Sequence, residues 1–211
     1  MEIAKNLSEF KNIRHGFCDK NDSKNVEKPL LLTQIHSFEI LNPQTIENPY
    51  GQPEGDGWIT DQKGFCLTVK SADCAPVLMT DGNIIAAVHA GWRGALTGVV
   101  ESAVVKMLNM GADVKNIRAA IGPCIHGQSF TVKEDMRSLF AKNVDHLFPY
   151  WEGEIHFAFA TYVRYRLENA GLAHESIEII DVDTVLDENY NSYRREPENP
   201  ARQYSFIEKI G

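Results

Sequence analysis

Two residues in this chain stand in contexts where their types can do chemistry together. Cys74 lies in KSADCAPVLMT and His89 in AAVHAGWRGALTG. Between them run two short apolar segments, PVLMT (76–80) and NIIAAVHA (83–90), separated by the turn pair Asp81-Gly82. Asp-Gly between apolar runs predicts a β-hairpin. That hairpin would put Cys74, just before one strand, beside His89 at the end of the other. Two chemistries use such a pair. One is a thiolate nucleophile with an imidazole base. The other is metal ligation by a deprotonated Cys and a neutral His. A third donor would separate them, and His36 in LLLTQIHSFEI is available. Its separation from Cys74 is too long for spacing alone to identify a metal site. His36 therefore reads either as a ligand or as a buried histidine satisfied by core hydrogen bonds, and the residues by themselves favour the second.

The stretch after His89 carries its own signal. Gly91, Trp92, Arg93 and Gly94 join the apolar strand to a helical pattern. A helix N-terminus offers free N–H groups and partial positive charge, which suit an anion. Arg93 adds a fork of donors matched to phosphate or carboxylate. Gly91 and Gly94 let a ligand approach the backbone closely. A tight turn with an exposed arginine and a packed tryptophan accounts for the same residues. The spacing and lysine of a Walker A loop are absent.

The elements that must position these residues are short. Strands are expected at 29–41, 64–72, 76–80, 83–90, 117–122, 176–180 and 203–210. A helix is expected where Leu96, Val99, Val100, Ala103, Val104, Met107 and Leu108 recur at helical spacing, ending at Gly111. Two more are expected at 133–143 and 159–171. The polar stretches 19–29 and 42–57 read as loops, and neither separates two cores. Hairpins mixed with separated helices predict an α+β fold in one domain over residues 1–211.

Composition narrows the partners. The 211 residues are 43% hydrophobic and 24% charged, with a net charge of −8, so the chain is an ordinary globular one. That charge argues against non-specific nucleic-acid or anionic-membrane binding. No segment approaches the roughly 20 apolar residues of a membrane span, and the N-terminus shows no secretory pattern. A soluble cytoplasmic protein is expected. The four cysteines, 18, 66, 74 and 124, show no C-x-x-C spacing and are expected to be reduced.

Six blocks appear in order: TQIHS, GDGWIT, SADCAPVLMTD, AAVHAGWRGALTG, AAIGPCIHGQSF and NSYRRE. Together they resemble the YfiH-like family, whose members are labelled multicopper polyphenol oxidase or laccase-domain proteins, with FAMIN as an animal relative. The resemblance runs from about His15 to Ile207. It implies an α+β domain with mixed β-sheets flanked by helices. It also implies a zinc held by His36, Cys74 and His89, overturning the residue-level preference at His36. The implied chemistry is phosphorolysis of adenosine, inosine, guanosine and methylthioadenosine, together with hydrolytic deamination of adenosine. Two His and one Cys also suit copper. A multicopper oxidase, however, needs further histidines in H-x-H pairs, and the seven here form none.

Three protein ligands leave a tetrahedral zinc one open position, the catalytic arrangement. Asp73 is then the first choice for general acid or base, with a turn cap or ligand-orienting group as the alternative. Arg93 is the choice for phosphate, with Arg194 of NSYRRE as a second substrate-binding residue and Arg195 as its solvated neighbour. Cys124 either lines the pocket or is a structural small residue. Asp56 in GDGWIT matches a family block, and a turn role suffices for it. His126 is not expected to be a ligand. Two departures from the family stand out. The polar CDKNDSKNVEKP replaces a Gly-rich loop after HGF, and no Cys-Thr precedes SYRR. Oligomeric state is left open. The competing functions are an amide hydrolase, by Cys-His or by metal, that edits peptidoglycan precursors, and a binding module for a nucleotide or phenolic ligand.

Overall fold

A computed structural model describes residues 1–210. In chain order the strands are β1 (Ile13–Phe17), β2 (Pro29–Leu30), β3 (Ile40–Leu41), β4 (Gly57–Thr60), β5 (Cys66–Ser71), β6 (Ala75–Thr80), β7 (Ile85–Ala90), β8 (Arg118–Ile121), β9 (Thr131–Val132), β10 (Tyr150–Trp151), β11 (Glu154–His156), β12 (Ile177–Ile179) and β13 (Gln203–Lys209). The α-helices are α1 (Trp92–Thr97), α2 (Val99–Asn109), α3 (Glu134–Arg137) and α4 (Phe159–Asn169).

The strands form three sheets. The largest has the order β12-β8-β6-β7-β4-β3, a second is β1-β13-β5-β2, and a small one is β10-β11-β9. The large sheet is mixed: β12 runs parallel to β8 and β3 parallel to β4, while the central pairs are antiparallel. The fold is thus α+β with mixed sheets, as expected.

The layering follows from strand alternation. Every residue of β6 and β7 is buried, because both faces of the large sheet are covered. Val77 and Met79 of β6, with Ala86 and Val88 of β7, pack in the core that holds Val100, Val104 and Met107 of α2 and Val163 and Leu167 of α4. Leu78, Ile85 and Ala87 face the other way, against Leu67 and Val69 of β5 and Ile207 of β13. Helices, large sheet and second sheet form successive layers, each interface closed by apolar side chains at alternate positions.

Three expectations are corrected. The run 29–41 is not one strand: only its ends form strands, β2 and β3, and a loop with a single bridge from Thr33 to Glu54 occupies 31–39. Within that loop His36 has φ +59°, which no strand residue adopts, and the amides of 35–37 bond a side chain instead of a neighbouring strand. The helix expected from Leu96 is two helices, because Gly98 sits at φ +103° between α1 and α2. Only Glu134–Arg137 of 133–143 is α-helical, followed by a 3₁₀ stretch at Lys142–Leu147. The strands β1 and β4, and the small sheet, lie outside the expected elements.

Candidate metal centre

The β6–β7 hairpin forms with Pro76 opposite His89 and Ala75 opposite Ala90. Cys74 immediately precedes that register, so the thiol and the imidazole meet at the open end of the hairpin. The left-handed backbone of Asp73, φ +81°, makes the turn that delivers Cys74. His36 arrives from the 31–39 loop, its Nε2 3.9 Å from Cys74 Sγ. One donor atom from each of His36, Cys74 and His89 lies within 4.8 Å of the others. Among the described residues this is the one cluster of three such donors. The imidazole rings meet edge to face, 5.0 Å between centroids.

Asp56 holds this arrangement together, a role its position in GDGWIT did not reveal. Its carboxylate is fully buried. It accepts from the backbone N–H groups of Ile35 (3.2 Å), His36 (3.0 Å) and Ser37 (2.6 Å), and from the Ser37 hydroxyl (2.8 Å). It also pairs with Nδ1 of His89 at 2.8 Å, and its own carbonyl accepts from the His89 N–H. One carboxylate therefore fixes the loop of one histidine and the ring of the other. With Nδ1 engaged, Nε2 of His89 is the free donor, the pattern of a carboxylate–histidine–metal triad.

The charges follow from this packing. Burial pushes the Cys74 thiol up, but the His89 imidazolium and the hydrogen bond to His36 reverse this and bring it down to about 6. Burial pulls His89 down, yet the Cys74 thiolate and Asp56 raise it to about 9. Burial likewise raises Asp56, but the His89 ring and the Ser37 amide and hydroxyl hold it below the usual carboxylate range. Before any metal enters, the site favours a thiolate. Two imidazole nitrogens and one thiolate are the donor set of zinc or copper. Gly91 provides the room: a Cβ there would stand 2.6 Å from His36 Cδ2 and 3.2 Å from Cys74 Sγ. The residues fit a metal ion.

The cluster opens into a cavity of about 590 Å³. Arg93, in the first turn of α1, lines it with its guanidinium 4.2 Å from the Trp92 ring centroid. Because α1 is only six residues long, any anion there rests on Arg93 itself rather than on a long helix dipole. Arg194 also lines the cavity. Its guanidinium donates to the Thr131 carbonyl and hydroxyl and lies 5.4 Å from the Phe130 centroid. Asp73 joins these parts: Oδ1 accepts from the Thr184 hydroxyl at 2.7 Å and Oδ2 from the Arg194 backbone N–H at 2.6 Å.

Other sequence candidates lie elsewhere. Cys124 is buried off the cavity wall, its thiol pushed far up by burial, and it does not line the pocket. A Cβ on Gly94 would press within 3.0 Å of the Ser37 carbonyl, so that glycine fits α1 against the His36 loop rather than facing a ligand. Gly91 faces the metal donors. Arg195 is no solvated neighbour: it donates to the carbonyls of Thr184, Val185 and Tyr190 and clamps that loop. His126 stands apart from the cluster, beside Asp181. Trp92 of the turn lines the cavity, and so do Lys70, Arg202, Phe130, Phe159 and Tyr193, which had not been singled out.

The model of a protein family described as multi-copper polyphenol oxidoreductase laccase matches residues 11–209. The chain belongs to this family. Among curated relatives, the "Purine nucleoside phosphorylase" of Rickettsia prowazekii is 33% identical, the match covering 95% of this chain and 90% of that protein. The protein of the same name in Rickettsia conorii is 31% identical over 94% and 88%. Among solved structures, the hypothetical protein YfiH of Bacillus licheniformis superimposes with a TM-score of 0.85 over 96% of this chain and 94% of that one; at 23% identity this shows the shared fold. A Neisseria meningitidis protein, 27% identical, gives 0.78 over 90% and 78%.

Proposed function

We propose that this chain is a zinc-dependent purine nucleoside enzyme. In this reading it carries out phosphorolysis of adenosine, inosine, guanosine and methylthioadenosine, and hydrolytic deamination of adenosine. The observation that carries it is the convergence of His36, Cys74 and His89 on a cavity that also presents Arg93, Arg194 and an aromatic wall. The names of the Rickettsia relatives support the same substrate class.

His36, Cys74 and His89 would hold the ion. A zinc with three protein ligands acts, when bound, as a Lewis acid with one open position. The remaining work falls to the chain. Arg93 binds phosphate as a planar fork, held over Trp92. Arg194, braced on Thr131, supplies a second donor. Trp92, Phe130 and Tyr193 give a flat base aromatic surface to stack on. Asp73 carries the proton: its two oxygens each accept one hydrogen bond, and a carboxylate has lone pairs for more. Asp56 keeps His89 in one tautomer. The protein works in the cytoplasm, where its four free cysteines stay reduced. A multicopper oxidase is disfavoured because no second donor cluster exists among the described residues.

A second reading rests on the lowered Cys74 thiol. A thiolate beside a protonated His89 is also a nucleophile–base pair for an amide. Mass spectrometry of products from adenosine plus phosphate, with Cys74→Ala as control, separates the two. Inosine, or adenine with ribose 1-phosphate, formed only by the intact metal-loaded protein supports the nucleoside reading. Absence of both, with stoichiometric zinc bound, refutes it and leaves muramoyl-peptide amides as the substrates to try.

A further inference from the structure

Two cations of the cavity wall have no part in that reading. Lys70 is the penultimate residue of β5, before Ser71, and Arg202 immediately precedes β13. The β5–β13 register sets Ser71 opposite Gln203 and Lys70 opposite Tyr204. Continued by one residue, it makes Lys70 and Arg202 diagonal neighbours across the ladder, within reach of one anion. Both line the cavity. Like charges so placed repel, and no acid compensates them. Among the described residues Lys70, Arg93, Arg194 and Arg202 form no ion pair, as is true also of Arg118, Arg164 and the other lysines; what sets these four apart is that one cavity gathers them. Asp73 is the one acidic side chain of the lining, and its oxygens are turned to Thr184 and the Arg194 amide. A chain of net charge −8 thus gathers four cations in one cavity, none of them in a side-chain ion pair.

Their backbone settings are held in place. The Gln34 side chain accepts from the Lys70 N–H at 2.8 Å and donates to the Lys70 carbonyl at 2.7 Å. Gln34 is two residues from His36, so the strand end bearing Lys70 is tied to the metal-ligand loop. Arg202 spends Nη1 on the carbonyls of Asn199 and Ala201, leaving Nη2 and Nε without a partner among the described residues. Arg93 and Arg194 stand on other elements, α1 and the segment before β13. Four cations exceed what one inorganic phosphate requires, and the cavity is of a size that takes a drug-sized ligand.

We infer that Lys70 and Arg202 form a second anion subsite, which takes a phosphomonoester carried by the substrate itself. Resting on the nucleoside reading, this makes nucleoside 5′-monophosphates ligands of the same cavity. The test is calorimetric titration of metal-loaded protein with adenosine, adenosine 5′-monophosphate and ribose 5-phosphate, using wild type, K70Q and K70Q/R202Q. The nucleotide is expected to bind wild type about tenfold or more tightly than adenosine, as charge-assisted hydrogen bonds to phosphate imply. Most of that advantage disappears in K70Q/R202Q while adenosine affinity holds. K70Q alone, at a half-exposed position, shows part of the loss should the double variant not fold. Saturating inorganic phosphate leaves the advantage in place. Equal binding of nucleotide and nucleoside, or an advantage that survives both substitutions, overturns the subsite. Ribose 5-phosphate separates this from failure of the nucleoside reading: if adenosine does not bind but the sugar phosphate does, and K70Q/R202Q weakens it, the subsite stands and that reading falls.

Discussion

Gly91→Ala should weaken metal binding at least tenfold without harming the fold. The Gly91 backbone, φ −73° and ψ 163°, is one any residue adopts, so the methyl group brings no backbone strain. Its cost is local. The new Cβ would stand 2.6 Å from His36 Cδ2, where ordinary contact begins at 3.4 Å. The exposed imidazole must therefore retreat by about 0.8 Å, which is several times the roughly 0.2 Å tolerance of a metal–ligand distance. A displaced ligand should cost at least the about 10–100-fold in affinity seen when a ligand's supporting partner is removed. Meanwhile Gly→Ala at a compatible position restricts the unfolded chain, worth about 0.4–1 kcal/mol of added stability without metal. The two effects have opposite signs. Competition for zinc against a chromophoric chelator reads the first, and urea unfolding of metal-stripped protein reads the second. Zinc affinity within about threefold of wild type would refute the claim that Gly91 exists to make room for the donors. So would a metal-free loss above about 2 kcal/mol, which would put the strain in the fold instead.

Asp56→Asn turns an amide NH₂ toward groups that all donate; removing the charge should cost about 3–5 kcal/mol in urea unfolding. Because the Asp56 carboxyl sits below its unfolded value of 3.8, its contribution is present above that pH and is lost as pH falls through the folded value. The Asn variant should lack that acid limb. In metal-free protein one thiol of the four should alkylate rapidly at neutral pH, with a rate midpoint near 6, disappear in Cys74→Ala and be protected by zinc. Cys18, driven up to about 11 by burial, should stay slow, and Cys124 slower still. His15 is buried and held below 6.5, its Nε2 accepting from the Ala4 N–H. Above pH 6.5 it is neutral folded or unfolded. Below 6.5 the unfolded chain takes up a proton that the folded one refuses, so stability should fall, and His15→Gln should flatten that slope in chemical denaturation at pH 7.5 and 5.5.

The parts of the fold that could be read in advance are those whose cause is local. Asp81-Gly82 signals the hairpin because Asp81 Oδ1 accepts from the next N–H groups, at Asn83 and Ile84, and Gly82 takes φ +92°. Strand pairing then carries Cys74 to His89 with no further information. The break between α1 and α2 was obscured because the apolar spacing of 96–108 runs through Gly98, although a glycine there is itself a helix-stop signal. The segment 29–41 failed for a different reason. LLLTQI has strand composition, but only Leu30 pairs with a full strand, and just beyond, the amides of Ile35, His36 and Ser37 are claimed by a carboxylate about twenty residues further along.

That carboxylate explains why the site was legible in its ligands and not in its support. A thiol and an imidazole declare their chemistry by residue type, so Cys74 and His89 could be paired from a hairpin prediction alone. An aspartate between two glycines is equally at home in a surface turn. Only the structure shows that Asp56 is fully buried, and a buried carboxylate is tolerable only with a full set of donors. The donors are the His36 loop and the His89 ring, so the physical requirement that lets Asp56 be buried is also what brings the two histidines together. The cations of the cavity obey the same logic in reverse. Lys70 and Arg202 are unremarkable in sequence, 132 residues apart; the β5–β13 register makes them neighbours, and the lack of any acid beside them leaves their charge for a ligand. In both cases a non-local pairing, not a motif, turns an ordinary charged residue into part of the site.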